Sequence, residues 1–417
     1  MPGSDTTRSY YKKVLGALLA LTGVFTALYL WFTLFPGEIN PEAWQYFRRE
    51  ELEMGRSYIF ALRLVYIGSF VAELVFLLWF LGSRRAEALA NRLFNFTRLK
   101  VWPTRCLFIF VFWLMLQLLK LPFSLFADYF WQQQWGFSTQ TLISWWQDYI
   151  LSGGLSLAIT LAGVLLLFAA MERWPRGWWF AGAVFSAFWL FLQVLLWPIV
   201  ISPLFNQFAP AQETAVVELV EELSTKTGLV VDEVWVMDAS RRTTASNAYF
   251  TGIGGTKRIV LYDTLLLDCS LPEVKAVVAH EMAHWQHGHI LKGIMWGSFG
   301  ILLFWAAFYV FLGGIWRKKG GYPPEVVVYL VLFLLVVNFL SSPLENYFSR
   351  QMEAEADRTA VMLTADIPAA IKLHKNLATK NRSDVSPPLF LEWFAYSHPS
   401  TLKRINTFKK WGNNQTN

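Results

Sequence analysis

The sequence predicts a mainly α integral membrane protein with seven spanning helices and one small α+β domain in water. Three observations lead to it. Of 417 residues, 55% are apolar and only 16% charged, against about 25% charged in soluble domains, and the mean hydropathy is +0.36. The apolar residues gather into seven runs long enough to cross a hydrocarbon core of about 30 Å. Between the fifth and sixth runs, from residue 206 to 289, that pattern stops and helical and alternating periodicities replace it. A net charge of +6 does not indicate nucleic acid here, because Lys and Arg sit in short clusters between the apolar runs, where they orient spans. Cys106 and Cys269 lie too far apart in sequence for a metal or redox motif and form no disulfide framework.

In chain order, residues 14–35 form an uncharged run after Lys12 and Lys13. The run is too long for a signal-peptide core and lacks a small-residue cleavage site, so it is expected to remain as a span. Residues 58–81 form the second span, with Arg63 and Glu73 inside it. Ten residues of helix separate the two charges by about 15 Å, so they do not pair with each other. Each must face the bundle interior or a water-filled cavity, or else Arg63 snorkels to an interface. The third span, 106–126, is interrupted by Lys120 and Pro122; the fourth covers 154–170 and the fifth runs from 178 to about 200.

The water-exposed stretch begins with an amphipathic helix over 212–228, apolar at Ala215, Leu219 and Leu223 and stopped by Gly228. Strands are expected at 233–238, 247–251 and 258–262. The Gly252-Ile253-Gly254-Gly255 between the last two is a hairpin turn, since no Gly-Lys-Ser/Thr and no helix follow it. A helix from Pro272 then delivers His280-Glu281-Met282-Ala283-His284. Residues four apart share a helix face, so both imidazoles can reach one ion. Glu281 stands beside the first, placed to take a proton from a metal-activated water. Four of the six histidines, His280, His284, His287 and His289, fall within ten residues. His287 lies about 10 Å further along the helix than His280, too far for one ion to take all three rings. Residues 291–316 give a sixth span, and a seventh beginning at 326 runs on towards Glu353 and Asp357, so both ligand helices are expected to extend membrane helices. Glu353 and Asp357 are four apart; one carboxylate would ligate while the other orients a ligand His. Glu355 points to another face and reads as an exposed acidic turn, and the tail from 366 reads as polar.

These residues carry a family resemblance. Pro203-Leu204-Phe205-Asn206, Val236-Met237-Asp238, Ser246-Asn247-Ala248-Tyr249-Phe250-Thr251-Gly252, His280-Glu281-x-x-His284-Trp285, Ser349-Arg350-x-x-Glu353-x-x-x-Asp357 and Ser397-His398-Pro399 occur in that order over nearly the whole chain. The chain thus resembles the type-1 CAAX prenyl proteases, seven-span zinc metalloendopeptidases of the gluzincin group. The resemblance implies one Zn2+ on His280, His284 and Glu353, with Glu281 as general base and His398 stabilising the tetrahedral intermediate. It implies Asp357 behind the ligands, Arg404 as partner of the acidic turn, and Asn247 and Ala248 on an edge strand that pairs with the substrate backbone. It further implies seven helices around a water-filled chamber, which would give Arg63, Glu73 and Lys120 a wet surface; His287 has no counterpart in the pattern.

The domain organisation expected is five spans in 1–205, a zinc-protease core with the HExxH helix in 206–289, two further spans leading to the third ligand in 290–357, and the rest of the protease domain in 358–417. Three functions are compatible with these features. One is an endopeptidase for C-terminal CAAX-type, prenylated or other membrane-associated substrates; the second is a membrane quality-control endopeptidase without prenyl dependence. The third is a non-catalytic metal-binding channel or transporter, for which Glu281 has no use. Expected partners are a peptide or protein, lipidated or not, and membrane lipid. The location is a bacterial inner membrane or, in a eukaryote, the endoplasmic reticulum membrane. Short loops on the N-terminal side hold fourteen Lys and Arg: Arg8, Lys12, Lys13, Arg84, Arg85, Arg92, Arg98, Lys100, Arg105, Arg173, Arg176, Arg317, Lys318 and Lys319. The opposite side holds Arg48, Arg49 and Arg56. The charge rule therefore puts the N-terminus in the cytoplasm and the zinc domain outside it, the reverse of how eukaryotic members of the family are drawn.

Overall fold

The computed structural model describes residues 4–229, 231, 233–252, 258–315 and 322–415. The first half is built from α1 (Ser4–Leu34), α2 (Arg49–Gly82), α3 (Arg85–Phe96), α4 (Val101–Ser124), the short α5 (Trp131–Gln134), α6 (Leu142–Arg173) and α7 (Trp178–Leu196). The second half has α8 (Thr214–Thr227), α9 (Asp263–Asp268), α10 (Leu271–Gln286), α11 (His289–Ile315), α12 (Val326–Thr364), α13 (Ile367–Lys380), α14 (Leu389–Ala395) and α15 (Thr401–Gln415). Among the described residues, seven segments are long and apolar enough to cross a membrane: α1, α2, α4 continuing to Gln134, α6, α7 continuing to Leu204, α11 and α12. Trp316, the last residue of the expected sixth span, lies outside the described residues.

The spans are longer than their apolar runs. α2 starts at Arg49, where Glu51 bonds back to the Arg48 backbone and closes a capping box. Pro122 does not interrupt the third span: it sits near the end of α4, and the turn that follows, Leu125–Phe130, widens to a π-helix before α5. Proline lacks the N–H that would bond four residues back, but the loss of that one bond does not end the helix here. Half of the most apolar stretch of α12 is buried, whereas none of that in the fifth span is. α12 is therefore the central helix and α7 a peripheral one. Phe308 of α11, Phe333 of α12 and Trp178 of α7 join in one apolar cluster.

The intramembrane charges do not all face water. Arg63 and Glu73 are buried. Arg63 donates to Asp384 at 2.9 Å and to the Tyr396 hydroxyl at 2.7 Å, so it neither snorkels nor lines an open chamber; it ties α2 to the C-terminal segment. Glu73 is paired with Lys120 at 2.8 Å. That pair borders a cavity of about 600 Å³ between α2, the third span and α12, lined also by Asp128, Asn338 and Glu345.

The water-exposed domain holds a four-stranded sheet in the order β1-β2-β4-β3, with β1 (Phe208–Pro210), β2 (Glu233–Met237), β3 (Ala248–Thr251) and β4 (Arg258–Tyr262). β2 and β4 are parallel, and β3 pairs antiparallel with β4, which leaves β3 at an edge. β1 was not expected; three residues carry too little alternation to show. Of the glycine turn, residues 253–257 lie outside the described residues. α8 buries Val216, Leu219, Val220 and Leu223 while Ala215 is exposed, so its apolar face is rotated from the expected one; it ends at Gly228, φ +67°.

Two further expectations are corrected. The HExxH helix does not continue into the sixth span: α10 ends at Gln286, and Gly288, at φ +64°, turns the chain before α11 begins. Only the seventh span carries its ligand segment, as one 39-residue helix. The tail is not merely polar. Phe408 of α15 packs on Val361 of α12 and Ala370 of α13, and α14 sets Leu391 and Phe394 against Tyr29, Ile67 and Phe339 of the spans.

Candidate metal centre

α10 opens with a capping box in which Ser270 and Glu273 bond to each other's backbone N–H, and Pro272 occupies the first turn. Glu273 is buried and also takes a bond from Lys372 at 3.1 Å and one from Asn376, which fixes α10 against α13. Val274, Val278 and Met282 of α10 pack under the sheet against Ile259 and Leu261. That apolar anchoring turns His280, Glu281 and His284 towards α12.

There His280 Nε2 and His284 Nε2 stand 3.0 Å apart. Glu353 presents Oε2 to the first at 3.2 Å and Oε1 to the second at 3.3 Å. One ligand atom from each of the three lies within 4.8 Å of the others. The donor set is two imidazoles and a carboxylate, and a buried Glu353 oxygen beside them has no well-aligned hydrogen-bond partner. Close donor atoms whose lone pairs are not aimed at each other suit a shared cation, and N/N/O sets of this kind suit zinc with an open fourth position.

The surrounding groups hold these side chains. Asp357 Oδ1 lies 3.0 Å from His280 Nδ1, and Arg404 donates to both Asp357 oxygens, through Nε at 2.8 Å and through a terminal nitrogen. Burial opposes a charge on His280, but the neighbouring Asp357 and Glu353 carboxylates outweigh it and raise the pKa of the metal-free ring to about 10; a cation at Nε2 would displace that proton and leave the ring neutral. Glu281 Oε2 accepts the Phe250 N–H at 3.2 Å; burial, only partly offset by the two histidines, lifts its carboxyl above the usual range. His398 stands with Nδ1 2.8 Å from Glu353 Oε2 and more than half of its side chain exposed. His280, Glu281, Glu353, Asp357, His398 and Arg404 border one cavity of about 380 Å³.

The structure brings His280, Glu281, His284, Glu353, Asp357, His398 and Arg404 together, whereas Glu73 and Lys120 border a separate cavity. Asn247 borders the cavity and is exposed. Ala248 is buried and faces Leu261 across the hairpin; only its backbone is available to a ligand. Tyr262 N–H bonds to Asn247 O, and antiparallel pairing alternates, so Ala248 and Phe250 aim their backbone groups at the open edge, where their N–H groups donate to Asn247 Oδ1 at 2.9 Å and to Glu281. Phe250 was missed, although it lies within the quoted motif; its ring also packs on Trp285 at 4.4 Å. Glu355 is exposed, as expected, but it is also paired, with His287, His289 and Lys292. His287 also meets the Thr359 hydroxyl at 2.8 Å. Tyr396 and Asp384, which the sequence did not flag, border the cavity beneath Arg63.

Two family descriptions match the chain: "Peptidase family M48" over residues 210–412 and "CAAX prenyl protease N-terminal, five membrane helices" over 37–207. The uncharacterised metalloprotease YhfN of Bacillus subtilis is 32% identical over 73% of this chain and 72% of its own length. CAAX prenyl protease 1 of Saccharomyces cerevisiae is 31% identical over 69% of this chain and 68% of its own. A crystal structure of S. mikatae Ste24p superposes with a TM-score of 0.81, covering 98% of this chain and 99% of that one at 24% identity; it bears on the fold alone.

Proposed function

The chain belongs to peptidase family M48, and from that premise we propose that it is a zinc-dependent endopeptidase acting at the membrane boundary on C-terminal CAAX-type or other membrane-associated protein substrates. It is a membrane-embedded metallopeptidase, with a metal cofactor and a peptide or protein substrate. The finer reading is the identity of the metal, the role of each residue and the lipid on the substrate. The convergence of His280, His284 and Glu353 on one point, with Glu281 beside it, carries that reading.

Zinc on His280, His284 and Glu353 would supply Lewis acidity, making a water acidic near neutral pH and polarising the scissile carbonyl. Glu281, held by the Phe250 N–H, takes the proton of the attacking water and returns it to the leaving amine. The raised carboxyl pKa suits this double duty, since a pKa moved towards the working pH strengthens the group as a base while leaving it able to release the proton again. His398 reaches the same point from the exposed side and donates to the oxyanion as it forms; donors of that kind contribute about 2.7–4 kcal/mol. Asp357 and Arg404 hold the His280 ring. A substrate segment lies as an added strand on β3 and donates to the carbonyls of Ala248 and Phe250, whose own N–H groups are taken by the Asn247 side chain and by Glu281, so its side chains are read weakly.

We assign five spans to 1–205, the HExxH-bearing core to 206–289, two spans and the third ligand to 290–357 and the domain's remainder to 358–417. The zinc domain is proposed to face away from the cytoplasm. The lipid requirement is tested with purified enzyme and one peptide, prenylated or not. The prenyl reading expects the prenylated form to be cut faster; equal rates would favour quality-control proteolysis without prenyl dependence.

A further inference from the structure

We propose that His289 and Glu355 are positioning residues that fix His284 for the metal, as Asp357 and Arg404 fix His280. The inference rests on His284 being a ligand. Both histidines of the motif turn Nε2 to the shared point, so the proton of each neutral ring sits on Nδ1 and needs an acceptor. For His280 the facing acceptor is Asp357, whose Oδ1 lies 3.0 Å from Nδ1, close but out of line with the N–H. For His284 it is the ring of His289, whose Nδ1 lies 2.9 Å from His284 Nδ1. His289 must then carry its own proton on Nε2, which is 2.9 Å from Glu355 Oε2.

The assignment closes without conflict. Glu355 Oε1 lies 3.2 Å from His287 Nδ1, and if that nitrogen carries the proton, His287 Nε2 accepts from the Thr359 hydroxyl at 2.8 Å. Lys292 lies 3.3 Å from Glu355 Oε2 and sets a cation beside the carboxylate that ends the chain of groups. Along the whole chain of groups each hydrogen has one place, and the only arrangement that leaves His284 Nε2 open to a cation is the one drawn.

The backbone is built for this contact. His289 is the first residue of α11 and 5% exposed, although a residue opening a membrane helix at the water boundary could face solvent. Gly288, in the left-handed region at φ +64°, folds the chain back so that the ring meets the end of α10; a side chain at that φ would be strained. Glu355 comes from α12, two residues beyond Glu353. The relay thus couples the metal point to both the sixth and the seventh spans.

Metal affinity of the purified full chain, measured by chelator competition with Zn2+ and by the visible spectrum of the Co2+ form, tests it. His289→Phe keeps a ring but no acceptor, and Glu355→Leu removes the far carboxylate; each should weaken metal binding about 10–100-fold and alter the Co2+ spectrum. His289→Asn keeps an acceptor at the δ position and should recover much of the affinity. The melting temperature of the metal-free protein separates positioning from folding. Unchanged affinity in His289→Phe, a lowered melting temperature with unchanged affinity, or His289→Asn as weak as His289→Phe would each overturn the proposal. His284→Ala distinguishes the levels: if it keeps the metal, the ligand assignment fails first, whereas if it loses the metal while His289→Phe keeps it, only the relay is wrong.

Discussion

At the scale of single residues, Glu281 shows what the site asks of its environment. A carboxylate that must take and return a proton works best when its pKa approaches the working pH, and burial moves it that way. The same burial disfavours the ionised form in the folded state. Glu281→Gln keeps the shape, so the variant should retain the metal and lose activity about 10²–10⁴-fold. Its stability, measured on metal-free protein, should also depend on pH. Below the ordinary carboxylate range both folded and unfolded states hold the proton, and parent and variant should differ little from this source. As pH rises, the unfolded chain ionises first while folded Glu281 keeps its proton, so the parent loses ground to the variant until the raised folded pKa is passed and the gap levels off. A Gln variant no more stable than the parent at neutral pH would mean that the buried charge is compensated by its neighbours.

At the scale of elements, what the sequence discloses follows from the range of the interactions. The four-residue spacings His280–His284 and Glu353–Asp357 are local and legible, because helix periodicity alone places each pair on one face. The break between α10 and α11 is a matter of one glycine's φ, and an unbroken helix through His287 looked equally consistent with the pattern. The tail helices are short, and α14, seven residues long, becomes apolar in context only when the spans cover it. The partners of Arg63 were out of reach of any local pattern, since Asp384 is 321 residues away. That pair makes a prediction for α2. Both side chains are buried, so Arg63→Ala leaves Asp384 with an uncompensated charge and should cost about 3–5 kcal/mol of unfolding free energy in detergent. Arg63→Met with Asp384→Asn should recover most of it. If the single variant is as stable as the double, Arg63 is not what holds the C-terminal segment to α2.

At the scale of the whole molecule, the contacts sort the loops into two faces. Glu42 bonds to Asn406, Lys409 lies over the Tyr46 ring at 4.5 Å, and Thr139 bonds to Ser240 O. The first and third loops therefore lie with the zinc domain. On the other face Arg105 joins Glu172 and the Tyr322 carbonyl, bringing together the second, fourth and sixth loops; Arg317, Lys318 and Lys319 of the sixth lie outside the described residues. The loop charges thus belong to two faces that the fold itself separates. Their condition also differs. On the zinc-domain face Arg48 and Arg49 are neutralised by Glu51 and Glu53, and Arg56 is bonded to the carbonyls of Gly37 and Glu38. On the opposite face, among the described residues, Arg84, Arg92, Arg98 and Lys100 enter no ion pair, and Arg85 packs on Trp79. The rule counts Lys and Arg in short loops whether or not acids pair with them, and the face opposite the zinc domain holds the excess, so the zinc domain is expected on the far side. Single cysteines at Gln212, an exposed position, and at Ser4 test this in whole cells once Cys106 and Cys269 are replaced. A membrane-impermeant thiol reagent should label the first and not the second. Labelling at Ser4 and not at Gln212 would overturn the orientation and put the active site within reach of cytosolic prenylated proteins. The expected pattern instead leaves such proteins on the wrong side of the membrane, and substrates would have to be sought among membrane or exported proteins.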